Sequence, residues 1–150
     1  MNDELFTVRA CEISDAQSIE LLEHQAVDEG QQYRGVQQLL NEAPLIGEDI
    51  SNVLSSGNQF VLIVNHQSQT QGFAHVAIEG EVATVRRIYI ATQARNLGAG
   101  AKLLTAVRME AKRRGCKQID AIALPGDRLT KNLFERANMK ARLLVASSDL

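Results

Sequence analysis

Three apolar runs, Gln59 to Val64, Gly72 to Ile78 and Val82 to Ile90, follow one another with joins of only a few residues. Their period-two patterning and their polar or Glu79-Gly80 joins predict an antiparallel meander at the centre of a sheet. Directly after Ile90 the period changes to that of a helix. Leu103, Leu104, Val107 and Ala111 share one face of a segment running from about Gly98 to Arg114, with Lys102, Arg108, Lys112 and Arg113 on the other. Gly115 suits the left-handed position that ends a helix, and the cations before it suit the negative end of the dipole. A strand over Lys117 to Leu124, a helix over Asp127 to Ala137 and a last strand over Lys140 to Ala146 follow.

Upstream, Leu5 to Cys11 alternates weakly as a first strand. Ser14-Asp15-Ala16-Gln17 reads as a capping box opening a helix whose inner face carries Ile19, Leu22 and Ala26 and which fades at Asp28-Glu29-Gly30. A second helical region from about Gln32 to Leu54 is broken by Pro44 and Gly47. The predicted order is βααβββαβαβ, an α/β chain with a mixed, mostly antiparallel sheet and helices on both faces.

A length of 150 residues fits one domain spanning 1–150, and a hydrophobic share of 45% is enough to fill its core. No apolar run approaches the ~18 residues of a membrane helix, and Met1 to Thr7 lacks a signal-peptide pattern, so a cytoplasmic protein without a membrane partner is expected. Cys11 and Cys116 lack metal-ligand spacing, and His24, His66 and His75 do not converge in sequence; no metal is expected. An aromatic content of 4% argues against a stacking surface for nucleic acid. Charge is divided unevenly, with twelve acids and two bases in residues 1–80 but six acids and fourteen bases in 81–150. Two such halves facing across a cleft would offer one wall to a polyanion and the other to a cation.

The turn Arg95-Asn96-Leu97-Gly98-Ala99-Gly100 lies between the end of a strand and the start of a helix. Glycines there let the backbone approach a bulky anion, and the free N–H groups of a helix's first turn can hold phosphate oxygens. Neither of two familiar phosphate motifs fits. The GxxxxGK run of a P-loop is missing, and a dinucleotide fingerprint would need glycine where Leu103 stands and a first-strand position that this turn does not have.

The run Ile88-Tyr89-Ile90-Ala91-Thr92-Gln93-Ala94-Arg95-Asn96-Leu97-Gly98-Ala99-Gly100 resembles the acyl-CoA-binding signature of the GNAT superfamily of N-acyltransferases, with Thr92 and Asn96 replacing a frequent proline and glycine. Leu133 to Met139 is similar to that family's second helical signature, and the order of elements resembles a GNAT domain over nearly the whole chain. The resemblance implies an N-acyltransferase that moves an acetyl group from acetyl-CoA, as co-substrate, directly to a primary amine of a small molecule or protein.

It implies further that backbone groups of Ile88, Tyr89 and Ile90 pair with the pantetheine, and that Arg95, Asn96, Leu97, Gly98, Ala99, Gly100 and Ala101 hold the pyrophosphate. Lys131, with Lys102, Arg128 and Arg136, lies near enough to meet other phosphate oxygens, and Phe134 can pack against pantetheine or the core. The acceptor side is expected from the acidic first half, through residues such as Glu29 and Tyr33, with Asp28, Glu42, Glu48 and Asp49 nearby.

Two departures affect the chemistry. Thr84 stands where many relatives have a glutamate base, and Phe134 where a tyrosine commonly protonates the thiolate, so neither a general base nor an acid can be named. A non-catalytic acyl-CoA sensor or interaction module with the same fold is the alternative, and the assembly state is left open, a homodimer included.

Overall fold

A computed structural model describes residues 5–150. Five strands lie side by side in chain order: β1 (Thr7–Ala10), β2 (Gln59–His66), β3 (Gln69–Glu79), β4 (Val82–Ile90) and β5 (Gln118–Ala121). Neighbours are antiparallel except β4 and β5, which are parallel because α4 (Ala99–Arg113) crosses between them. The remaining helices are α1 (Ala16–Gly30), α2 (Val36–Glu42), α3 (Ile50–Ser55) and α5 (Arg128–Arg136).

Helices cover both faces of the sheet, so the central strands are buried on both sides. In β2, Phe60, Leu62 and Val64 pack with Leu103, Leu104 and Val107 of α4. The alternate residues Val61 and Ile63 pack with Ile19 and Leu22 of α1 and with Ile50 and Val53 of α3. The alternation of the meander and the 3.6-residue spacing of α4 are thus two sides of one interface.

Of three local expectations, the glycine cap of α4 is met and the other two need correction. The cap of the first helix is not centred on Ser14: the Asp15 carboxylate accepts the Glu12 N–H at 2.7 Å and two Arg9 N–H groups at 2.8 and 2.9 Å, starting a 3-10 turn over Ile13–Asp15 that leads into α1. At the end of α4 the Gly115 N–H reaches the Lys112 carbonyl and the Cys116 N–H the Ala111 carbonyl, both at 3.0 Å, the paired closure expected where glycine sits at positive φ. The strand predicted over Lys140 to Ala146 does not form, and every residue of 140–150 is exposed. Local strand preference counts only where a neighbour pairs and a face is covered, and this segment has neither.

His75 is buried in β3, with Nε2 2.7 Å from the Gln59 side-chain oxygen. Burial, and to a lesser extent the Arg86 and Arg87 guanidinium groups, hold its pKa down to about 4 from an ordinary 6.5. As pH falls from 6.5 toward 4 the unfolded chain takes up this proton before the folded one does. Stability attributable to His75 is therefore complete above pH 6.5 and is lost through that window, by up to about 3 kcal/mol. Melting curves of wild type and His75→Gln between pH 7.5 and 4.5 should converge as pH falls. Taking the difference between the two proteins cancels the opposing effect of Glu23, whose burial raises its pKa.

Candidate active site

β4 contains one residue more than β3 can pair. His75 faces Arg87 and the next residue, Val76, faces Val85, so Arg86 is the extra residue of a β-bulge. The insertion reverses the alternation of β4. Ala83 and Val85 face α4 before it, Ile88 and Ile90 do so after it, and Tyr89 faces the α1 side. The ladder with β5 ends at the same point: Val85 pairs with Ala121, and the Ile122 N–H reaches the Val85 carbonyl at 3.2 Å.

Beyond that point the two chains part and border a cleft of about 770 Å³, with Arg86 to Ile90 on one side and Ile122 to Leu124 on the other. The end of α1, Tyr33 and α2 contribute one wall; α4 and α5 contribute the opposite one. Ile88, Tyr89 and Ile90 pair with Ala74, Phe73 and Gly72 of β3. Among the described residues no strand lies against their other edge.

The far end of the cleft is the glycine turn. Gly98 stands at φ 94°, ahead of the first residue of α4, and a Cβ added there would meet no atom within 4 Å. The first helical hydrogen bond runs from the Lys102 N–H to the Gly98 carbonyl at 3.0 Å, so the N–H groups of Ala99, Gly100 and Ala101 have no partner inside the helix. Gly100 has a different task. Its missing side chain would lie 3.3 Å from Leu133 and 3.6 Å from Ile90, so glycine here lets α4 start close against α5 and β4.

Arg95 spans the turn. Its Nε donates to the Ile90 carbonyl at 3.0 Å, and its Nη2 meets both Glu29 carboxylate oxygens at 2.8 and 2.9 Å. The guanidinium also lies 5.4 Å from the centre of the Tyr89 ring, and the Tyr89 hydroxyl donates to Glu29 at 2.6 Å. Burial and the neighbouring Glu29 push the Tyr89 pKa up to about 12, so the phenol keeps its proton. This trio ties the end of α1 to the glycine turn.

Beneath the bulge, the fully buried Glu23 accepts the Ile46 and Gly47 N–H groups, both at 2.8 Å, and Arg87 donates to the Ala43 carbonyl at 2.9 Å. These bonds fix the connection between α2 and α3.

Residues 56–141 match the family of acetyltransferase (GNAT) domains, more than half of the chain and all of the cleft except the α1–α2 wall. The chain belongs to the GNAT acetyltransferase family. As a domain of that family it is an N-acetyltransferase in class.

Solved structures of similar fold include a tetramutant of the BH1408 protein from Bacillus halodurans, at TM-score 0.79 and 11% identity, covering 96% of this chain and 99% of that one. The aminoglycoside N-acetyltransferase AAC(6')-Iy in complex with CoA is similar at TM-score 0.74 and 14% identity, covering 97% and 94%. The aminoglycoside acetyltransferase meta-AAC0020 from an uncultured soil metagenomic sample, in complex with sisomicin, is similar at TM-score 0.74 and 16% identity, covering 100% and 99%. No curated protein sequence matches significantly.

In this GNAT domain Ile88, Tyr89, Ile90, Arg95, Asn96, Gly98, Gly100 and Ala101 line the cleft, as do Glu29 and Tyr33. Leu97 is exposed beside it, and Ala99 is turned into the core. Lys131 is exposed on α5 outside the lining, as is Arg128, whereas Arg136 lines the cleft. Phe134 packs in the core with α4, so of the two placements open to its ring the core is the one adopted. Thr84 pairs with Asp120 in the ladder, and Glu81 is ion-paired with Lys117 at 3.1 Å. Asp127 caps α5 by accepting the Thr130 N–H at 3.1 Å.

The expected acidic wall is not there. Asp28, Glu42, Glu48 and Asp49 lie outside the lining, which holds two acids, Glu29 and Asp127, against five arginines. Sequence reading missed Arg86 as a cleft residue. The switch from inward Ala83 and Val85 to inward Ile88 and Ile90 was its visible signal. Among the described residues no group of three or more His, Cys, Asp or Glu could hold a metal ion, and no helix is long and apolar enough to cross a membrane.

Proposed function

We propose that the cleft binds acetyl-CoA and transfers its acetyl group directly to a primary amine. The observation that carries this reading is the open edge of Ile88 to Ile90, which leads from the bulge at Arg86 to the free N–H groups at the start of α4. An amide-bearing arm can hydrogen-bond along such an edge as an added strand, while its phosphates lie against the helix N-terminus. Arg108 and Arg136, which line the cleft from α4 and α5, favour the same polyanion. The CoA complex of AAC(6')-Iy, a protein of the same fold, agrees with this reading.

The neutral amine nitrogen attacks the thioester carbonyl carbon, forming the N–C bond as the C–S bond breaks. The nitrogen sheds a proton to water, and the thiolate takes one from solvent. A cleft rich in arginine lowers the pKa of a bound ammonium and so raises the share of neutral amine, a contribution that needs no carboxylate base. Holding the two reactants together supplies a further part of the rate.

Mixing the protein with acetyl-CoA and a panel of amines, and following free thiol, separates this reading from a non-catalytic sensor. Thiol released only when an amine is present is the expected result; tight binding of acetyl-CoA with no release across the panel would favour the sensor.

A further inference from the structure

Arg86 is the residue the bulge forces out of the ladder. It is half-buried and lines the cleft, and its side chain makes no hydrogen bond or ion pair among the described residues. Its neighbour Arg87 is buried and also borders the cleft, but it is already engaged: Nη2 donates to the Ala43 carbonyl at 2.9 Å and Nη1 is ion-paired with Glu23 at 3.9 Å. Arg86 is thus the guanidinium of this pair left without a counter-ion, and in a partly dehydrated cleft such a group suits an anion.

That anion is not the phosphate group of the donor. Arg86 lies four residues before Ile90 along β4, about 13 Å from the end of the strand that leads into the glycine turn. It therefore lies at the acyl end of the cleft, where the acceptor must enter.

The wall on the acceptor side is apolar, with Ala26 and Val27 from α1 and Val36, Leu39 and Leu40 from α2. Of the two lining acids, Glu29 is taken up by Arg95 and Tyr89, and Asp127 caps α5. No carboxylate is therefore set to receive a second positive charge on the acceptor. Bound sisomicin in meta-AAC0020 is an aminoglycoside; a polycation of that kind would meet unpaired arginine here.

We infer that the acceptor is an apolar α-amine bearing its own carboxylate, of the dipeptide class. Arg86 receives the carboxylate, and Val36, Leu39 and Leu40 receive the apolar side chain. The inference rests on the acetyl-transfer reading. It also answers the missing base in part, because the α-amino group of a dipeptide is a peptide N-terminus: such a group has a pKa of about 7.7 to 8.0, against about 10.4 for a lysine-like amine, so far more of it is neutral at pH 7.

The test follows thiol release from acetyl-CoA with leucyl-leucine and alanyl-leucine, each against its C-terminal amide, and with sisomicin. The acids should exceed their amides by about tenfold or more in kcat/KM, the worth of one charge-assisted contact. Arg86→Met should bring that ratio close to one by raising KM for the acids, and Arg86→Lys should restore part of it. Equal rates for acid and amide, or faster turnover of sisomicin or of any amine without a carboxylate, would overturn the inference and leave acetyl transfer standing. Binding of acetyl-CoA with no turnover of any amine would remove both.

Discussion

Gly98→Asp is expected to abolish stabilisation of this protein by acetyl-CoA while leaving its own melting temperature nearly unchanged. The position separates the two effects. Asp at φ 94° is strained, by roughly 1 to 2 kcal/mol, but its Cβ enters open space, and its carboxylate stands at the N-terminus of α4, where a negative charge is favourable by up to about 1 kcal/mol. The fold therefore survives. A phosphate brought to the same N–H groups would meet that carboxylate, and two like charges about 4 Å apart repel by about 4 kcal/mol near a protein surface. That exceeds the stabilisation of about 2.7 kcal/mol that a ligand supplies at a hundred times its dissociation constant. Differential scanning fluorimetry with and without acetyl-CoA reads both quantities. An unchanged ligand shift in the variant would place the phosphates elsewhere.

Glu23→Ala has the largest expected effect on stability. Its carboxylate is fully buried, accepts two backbone N–H groups from the connection between α2 and α3, and is the acid nearest to the buried Arg87. Removing it strands two amides and a guanidinium together, a loss of about 3 to 5 kcal/mol. Glu23→Gln keeps the volume and one acceptor, and should cost well under half as much. Urea unfolding of the three proteins gives the comparison. A loss below about 1 kcal/mol for Glu23→Ala would mean that this connection is held by other contacts. Because the same connection carries the Ala43 carbonyl that Arg87 grips, the variant should also loosen the wall of the cleft.

The elements that could be read from the residues are those whose partners are close in sequence or whose pattern is long. The meander, the amphipathic α4 and the glycine that ends it all follow from local spacing, and so does the glycine turn that leads into α4. What escaped was set by distant partners. Arg95 belongs by position to the glycine turn, yet its guanidinium is held by Glu29, 66 residues away, and no spacing rule reveals that pairing. The tail from Lys140 to Ala146 has the composition of a strand but no covered face, and stays unpaired. Asp28, Glu42, Glu48 and Asp49 of the acidic first half take solvent-facing positions on α1, α2 and the turn before α3, and Glu23 is buried under the cleft, so net charge by halves does not tell which wall of the cleft is acidic. Arg86 shows the intermediate case, where the break in alternation was visible but its consequence, a side chain expelled from the ladder at the point where two strands part, needed the pairing of β3 with β4.

The central claim is that the space between β4 and the chain after β5 is a binding site for acetyl-CoA. Isothermal titration calorimetry of acetyl-CoA into wild type and Gly98→Asp tests it most directly. The account predicts saturable one-to-one binding to the wild type, weakened at least about a hundredfold in the variant, consistent with the repulsion given above. Absence of binding to the wild type at millimolar ligand, or equal affinity in the two proteins, would contradict it.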